Sequence, residues 1–334
     1  MDARWWYPLP TGSWTGNSNG YSRSAAMTER ILCRVLTGPT GSGKSEWAMK
    51  LAKEQHWDIL CMDSMQIYRG MDIGTAKPTR REQEQVPHYL LDLADPAESF
   101  SVARYREIAE ETILESRRRG REVLFVGGTG LYLQAMMHPM IMGEVEADSR
   151  RREELLEQAE TPEGRRALQE RLRELDPVTA DKLPVQDVRR IIRAIEVSEK
   201  TGHPFSAQPE RETPSPFDWR AVSLQMDRKT LYDRINRRVI RMMEQGLVRE
   251  VEKLLQAGVP ETAQSMNGIG YRQIIPLLKG EIQEAEAVRE IQLASRHYAK
   301  RQMTFLRREE TIRYVEALKP NTEEELRKAL GIET

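Results

Sequence analysis

"LTGPTGSGKSEWAMK", Leu36 to Lys50, decides the fold. Two glycines, Gly38 and Gly43, bracket four residues and are followed by Lys44 and Ser45, so the octet Gly38-Pro39-Thr40-Gly41-Ser42-Gly43-Lys44-Ser45 fills the phosphate-loop pattern. The chemistry needs these residue types at this spacing. Glycines let the backbone curl so that its amides and the following helix N-terminus face phosphate oxygens; Lys44 adds a point charge and Ser45 offers a hydroxyl to magnesium. The loop therefore specifies a di- or triphosphate ligand. It leaves open whether that phosphate is transferred, hydrolysed or lost as a leaving group.

Working outward, "ILCRVL" (Ile31 to Leu36) reads as a buried strand into the loop, and Glu46 to Lys53 has helical composition. "ILCM" (Ile59 to Met62) is a second apolar run that stops at "DSMQIYRGMDIGTAKP", where Gly70, Gly74 and Pro78 break regular structure. "HYLLDL" is a candidate third strand. Ser101 to Arg119 has helical period, with Ser99 or Ser101 as cap, and "EVLFV" is a strand running into "GGTGLYLQAMM". Strands alternating with helices predict a parallel sheet, in which ligands sit outside the carboxyl ends of the strands. The loops at Gly41-Lys44-Ser45, Asp63-Ser64-Met65-Gln66 and Gly127-Gly128-Thr129-Gly130 all leave strands at that edge, so their polar groups are expected to converge.

From Glu144 the character changes to charged helix with little β-branched content, ending in the proline-rich "TGHPFSAQPERETPSPFDW". "RAVSLQM" then reads as a returning strand, with helices over Leu231 to Ala257 and Glu284 to Arg308. The expected division is an α/β core, a phosphate-loop parallel sheet flanked by helices, over residues 30–143 and 217–334, a helical insertion over 144–216, and a disordered extension over 1–29. The extension is rich in Trp, Gly, Ser and Asn without amphipathic period, and it lacks the apolar core of a secretory signal.

At 334 residues, 39% hydrophobic and 31% charged, the chain is long enough for a large core, and no stretch approaches the roughly 20 apolar residues of a membrane span. A cytoplasmic protein with no membrane partner is expected, as a monomer. The two cysteines, Cys33 and Cys61, lie in apolar runs without metal-ligand spacing and read as core. The net charge of −1 conceals a local imbalance, since Arg289 to Arg308 carries six Lys/Arg against one acid, Glu290. Such a stretch fits an anionic polymer or a solvated helix face.

Asp63, after a strand, reads equally as a helix cap, a magnesium-site carboxylate or a general base beside the phosphate. Gln66 has the paired donor and acceptor an adenine edge requires, although a loop glutamine is ordinarily solvated. Thr129 is either the cap of a strand-to-helix turn or a hydroxyl offered to a ligand. Arg189 and Arg193 share a helix face at i, i+4, as do Arg234 and Arg238, and such pairs are usually solvated or ion-paired. "MNGIGYRQ" (Met266 to Gln273) combines glycines, Tyr271 and Arg272, which suits stacking on an unpaired base, against the commoner meaning of a packed tyrosine.

Taken in order, "GPTGSGKS", "DSMQIYRGMDIGTAKPT", "PHYLLDL", "FVGGTGLYL", "DVRRIIRAIEV", "MNGIGYRQ" and "YAKRQMTFLRR" resemble the tRNA dimethylallyltransferase (isopentenyl-tRNA transferase) family, bacterial type, from about Leu32 to about Tyr314. The resemblance implies transfer of a dimethylallyl group from dimethylallyl diphosphate, with Mg2+, to the exocyclic amine of the adenosine 3′ of the anticodon in a tRNA anticodon stem-loop. It implies that Gly38 to Ser45 and Arg238 hold the allylic diphosphate, that Lys44 and Ser45 with magnesium stabilise it as it leaves, that Asp63 accepts the amine proton, and that Thr129 contacts the substrate. By the same matching Asp63, Ser64, Met65, Gln66, Thr129, Arg189, Arg190, Ile191, Ile192, Arg193, Gly268, Ile269, Gly270, Tyr271, Arg272 and Gln273 contact tRNA, with Arg151 a further alignment-dependent candidate. The chain departs from the family in "DKLPVQDVRR", with Arg189 where glutamine is common, and in "TFLRR" for "TWFR". The rival readings are an adenylate isopentenyltransferase acting on free AMP, a phosphate-loop small-molecule kinase, and a non-catalytic ATP-gated RNA-binding module.

Overall fold

The apolar run before the glycine loop is a strand, β1 (Ile31–Thr37), in the computed structural model, which describes residues 30–138, 149–207 and 216–332. β2 (Asp58–Cys61), β3 (His88–Tyr89), β4 (Val123–Val126), β5 (Phe217–Gln225) and β6 (Ile312–Glu316) join it in a parallel sheet ordered β3-β2-β4-β1-β5-β6. Both faces are covered, and the two-residue alternation shows it. Val35, Leu60, Phe125 and Ala221 enter one apolar cluster, while Leu36, Ile59, Leu124 and Val222 enter the other. Cys33 and Cys61 are buried free thiols within these layers, and burial pushes both above the ordinary thiol range.

The expected strands are present with three differences. "HYLLDL" yields only the two residues of β3, because Leu90 and Asp92 take left-handed backbone (φ 64 and 53) that no strand tolerates. β5 begins at Phe217, inside the stretch expected to be linker, because Ile31 at the start of β1 pairs with it. β6 was not anticipated; "IRYVE" pairs only with β5 at the sheet edge and has too few buried positions to give a pattern.

Helices α1 (Lys44–Gln55), α2 (Arg80–Gln85), α3 (Val102–Arg118) and α4 (Gly130–Met137) belong to the first half of the sheet. α3 starts where Ser101 Oγ accepts the Arg104 amide at 3.2 Å. Its buried face carries Tyr105, Ala109 and Ile113 at four-residue spacing. Tyr105 stacks on Tyr132 of α4 with centroids 3.8 Å apart and donates its hydroxyl to the Cys61 carbonyl at 3.0 Å. That contact fixes the carboxyl end of β2, two residues before Asp63.

The described part of the insertion is helical, as expected: α5 (Ser149–Gln158), α6 (Pro162–Leu175), α7 (Pro177–Lys182) and α8 (Val188–Thr201). Its apolar side chains, among them Leu155, Leu168, Leu172, Ile191 and Ile195, form a cluster of their own within the one compact unit Ile31–Thr334. The expected extension 1–29 and parts of the insertion's two connections, 139–148 and 208–215, lie outside the described residues. The chain finishes with α9 (Arg228–Glu244), α10 (Leu247–Gln256), α11 (Tyr271–Leu278), α12 (Glu284–Leu306) and α13 (Thr322–Leu330). Gly246, at φ 98, separates α9 from α10.

One buried carboxylate organises the insertion. Asp176, fully buried, caps α7 by accepting the Thr179 amide (3.0 Å) and hydroxyl (2.6 Å), and it also accepts the Ser206 amide (2.6 Å) and hydroxyl (2.8 Å) from the far end of the insertion. Burial pushes this carboxyl up, but the hydrogen bonds from Thr179 and Ser206 outweigh burial and hold it below the usual carboxylate range. A carboxyl lowered on folding gives stability that is present above its unfolded value near about 3.9 and lost as pH falls through the folded value. Asp176→Ala is expected to lower unfolding free energy by about 2 kcal/mol at neutral pH. Urea denaturation at pH 7 and pH 3 should show the wild-type advantage shrinking at the lower pH.

Candidate functional site

The three loops meet because their backbones touch. A Cβ on Gly127 would lie 2.0 Å from the Met62 carbonyl, and the Gly127 amide donates to the Leu36 carbonyl at 3.4 Å. Only glycine permits that approach. It brings Lys44 and Ser45, Asp63 and Gly127-Gly128 onto one cavity of about 150 Å³ at the carboxyl edge of β1, β2 and β4.

The phosphate loop has the backbone its sequence calls for. Gly41 and Gly43 take positive φ (82 and 92), and Gly43 is the cap of α1, so the first amides of the helix are left without a side-chain acceptor. Lys44 Nζ donates to the Pro39 carbonyl at 2.9 Å. Burial, with the Arg238 charge adding to it and Asp63 opposing, pushes the Lys44 ammonium down to about 8. Arg238, from α9, donates to Thr40 Oγ1 at 3.2 Å and to the Thr75 carbonyl at 3.4 Å. Burial lowers its basicity too, against the favourable charge of Asp63. Two cations are thus held in a partly desolvated pocket, an arrangement that favours a multivalent anion.

Asp63 stands between this cluster and a second cavity of about 290 Å³, since Thr40, Asp63, Thr75, Arg238 and Tyr298 line both. Its Oδ1 accepts the Met65 amide at 2.9 Å, which fixes the side chain by a local turn without capping a helix. Thr129 occupies the cap position of α4, yet its hydroxyl makes no cap bond; it accepts the Ser64 amide at 3.0 Å. The Thr129 hydroxyl thus ties the start of α4 to the Asp63 loop instead of capping the helix.

Two residues of α12 that line the anion cavity were not singled out from the sequence. Tyr298 and Gln302 lie four apart on α12, within "YAKRQ", on the helix face toward the site. Gln302 accepts the Thr40 amide at 2.8 Å and donates to the Gly128 carbonyl at 2.8 Å, so one side chain joins the loops after β1 and β4. Burial raises the Tyr298 hydroxyl to about 12, with the Asp63 charge adding to it. The i, i+4 spacing was the available signal.

The other expected contacts divide. Met65, Gly268, Ile269, Tyr271 and Arg272 line the second cavity, and Arg272 is exposed. The Tyr271 side chain is not free to stack on a base: it is fully buried and its hydroxyl donates to Glu250 at 2.6 Å. Gln273 is buried and accepts the Gly270 amide at 2.9 Å. Gln66 has its amide nitrogen on the Thr75 and Ala76 carbonyls (3.2 and 3.3 Å), so its donor is committed to the loop. In the insertion, Ile191 and Ile192 are core residues, which leaves Arg189 and Arg190 as the exposed members of the expected set on α8. Arg193 is half-buried near Glu196, and Arg151 pairs with Glu154 at 2.9 Å; neither lines the two cavities.

Known proteins resemble this chain over most of its length. The model of the IPP transferase family matches residues 66–309. The curated tRNA dimethylallyltransferase of Geobacter metallireducens is 45% identical over 290 residues, covering 86% of this chain and 93% of its own. That of Halalkalibacterium halodurans is 43% identical over 283 residues, covering 84% and 89%. Among solved structures, the tRNA isopentenylpyrophosphate transferase of Bacillus halodurans shares the fold at a TM-score of 0.66 and 37% identity, over 90% of this chain and 97% of that one. A eukaryotic dimethylallyltransferase described as acting on tRNA does so at a TM-score of 0.74 and 26% identity, over 89% of this chain and 77% of that one. With the sheet order, the phosphate loop and a match of this extent in agreement, the chain belongs to the IPP transferase family of tRNA dimethylallyltransferases.

Proposed function

We propose that this enzyme transfers a dimethylallyl group from dimethylallyl diphosphate to the exocyclic amine of the adenosine 3′ of the anticodon in tRNA, releasing diphosphate. The observation that carries the reading is the place of Asp63, on the shared wall of an anion cavity and a second cavity. A carboxylate there can meet a nucleophile arriving from one side while a leaving group is held on the other. The names of the relatives supply the two substrates.

In this reading the loop amides, Lys44 and Arg238 hold the diphosphate. As the allylic C–O bond breaks, negative charge builds on the diphosphate oxygens, and donors already aimed there act in the transition state. The amine nitrogen forms the new C–N bond with its lone pair, and its proton passes to an Asp63 oxygen. A weak base is sufficient, because an amine that has just been alkylated is acidic. Thr129 and Tyr298 fix the geometry at the junction.

A magnesium ion fits the donor set in one way. Among the described residues no group of three His, Cys, Asp or Glu could form a cage for it, so its ligands would be the Ser45 hydroxyl, diphosphate oxygens and water, which is how magnesium is commonly held on phosphates. When bound it would neutralise charge on the leaving group.

For the acceptor, exposed Arg189, Arg190 and Arg272 and the basic stretch of α12 are the groups that suit a tRNA backbone. The adenosine would leave the anticodon-loop stack to enter the second cavity. No described helix is long and apolar enough to cross a membrane, and a tRNA substrate is in keeping with a cytoplasmic enzyme.

Incubating the protein and magnesium with labelled dimethylallyl diphosphate and unmodified tRNA, AMP or no acceptor tests the proposal. Label is expected in tRNA; label in AMP alone would overturn it. Asp63→Asn is expected to lower kcat by about 10² to 10⁴ while tRNA binding persists, and wild-type turnover would remove Asp63 from its role. The Lys44 ammonium, with its value near about 8, is charged below that pH. Affinity for inorganic diphosphate should therefore fall as pH rises through 8, and Lys44→Arg, which stays charged, should flatten that profile in a calorimetric titration.

A further inference from the structure

Between the two cavities the chain makes a tight loop whose hydrogen bonds run to a single carboxylate outside both. Glu250, on α10, accepts three successive backbone amides: Asp72 (3.0 Å) and Ile73 (2.8 Å) on Oε2, and Gly74 (3.1 Å) on Oε1. Oε1 also accepts the Tyr271 hydroxyl at 2.6 Å. Consecutive amides turned inward form an anion-binding concavity, and here the anion is the protein's own. The loop is pressed against the same tyrosine, for a Cβ on Gly74 would lie 2.5 Å from the Tyr271 ring. On its other side Lys77, buried, donates to the Tyr68 carbonyl (2.7 Å) and pairs with Asp72 (2.8 Å) and Asp92 (2.6 Å).

The next residue shows what this clamp delivers. The Thr75 carbonyl accepts Arg238 Nη2 at 3.4 Å and Gln66 Nε2 at 3.2 Å. It therefore touches the arginine of the anion cavity and the loop that carries Asp63. Tyr271, at the opposite end of the carboxylate, lines the second cavity. One acid thus joins the wall of the acceptor side to the arginine of the donor side through four residues of backbone.

We propose that Glu250 is a positioning residue: through the Asp72–Thr75 loop it sets Arg238 for the diphosphate, and through Tyr271 it ties that setting to the acceptor cavity. The inference rests on the proposed role of Arg238 in holding diphosphate. It requires both carboxylate oxygens, since each accepts two donors.

Glu250→Gln tests it with almost no change in shape, because an amide offers one acceptor oxygen and turns an NH2 toward donors on the other side. Calorimetry should show affinity for inorganic diphosphate weakened about tenfold, the worth of a charge-assisted hydrogen bond. The kcat for prenyl transfer should fall by about 10², as a displaced catalytic group costs. Affinity for unmodified tRNA and the circular dichroism spectrum should not change. Tyr271→Phe should move the same quantities less, and the double variant should match Glu250→Gln within about twofold, since both act through one carboxylate. Wild-type diphosphate affinity and kcat in Glu250→Gln would overturn the inference, as would diphosphate and tRNA affinities falling together with the thermal midpoint. A wild-type protein that binds no inorganic diphosphate, or prenylates no tRNA, would instead overturn the functional reading on which it rests.

Discussion

At Gly127 the chain has no room for a side chain, and the rest of the site depends on that contact. The turn after β4 lies against the last residue before Asp63, and the strand between their two partners in the sheet order is β4 itself. A parallel sheet presents the carboxyl ends of its strands to one edge, but strands about 4.8 Å apart do not by themselves bring loop side chains within reach of one ligand. Backbone contact between the loops does. From it follow the bridge from Thr129 to Ser64, the bridge from Gln302 to Thr40 and Gly128, and a cavity lined by Lys44, Asp63 and Arg238.

Electrostatically the site keeps Lys44 and Arg238 partly out of water and sets the Asp63 carboxylate beside them. Desolvation lowers the basicity of both Lys44 and Arg238, so their charges are held there at a cost that the proposed diphosphate would offset. Preorganised charge of this kind is more effective than charge gathered from water, because no reorganisation is needed while the bond breaks.

The sequence made the sheet, the phosphate loop and the convergence of three loops legible, because each rests on local pattern: apolar runs ending at glycines, one phosphate-loop octet and short turns. What it left obscure lies far along the chain. Tyr298 and Gln302 reach the site from a helix more than two hundred positions after Thr40, and their i, i+4 spacing says that they share a face of α12 but not that this face meets the phosphate loop. Tyr271 and Gln66 illustrate the opposite failure. Their residue types suit base recognition, yet in the fold one is a core phenol on Glu250 and the other a loop tie. A side chain able to hydrogen-bond a base is equally able to satisfy buried backbone, and only the surroundings decide between the two.

The fate of the bound phosphate follows from what stands next to it. In a phosphoryl transfer the acceptor approaches phosphorus, and the charges that matter surround the transferred group. In this chain Lys44 lines only the anion cavity of the two, while Arg238, with Thr40, Asp63, Thr75 and Tyr298, stands on the wall that the two cavities share. In the proposed reading a nucleophile held in the second cavity reaches Asp63 on that shared wall, opposite the diphosphate. The loop amides then have the same physical task as in any phosphate loop, but the group they stabilise is the one that departs, and the bond made is to carbon.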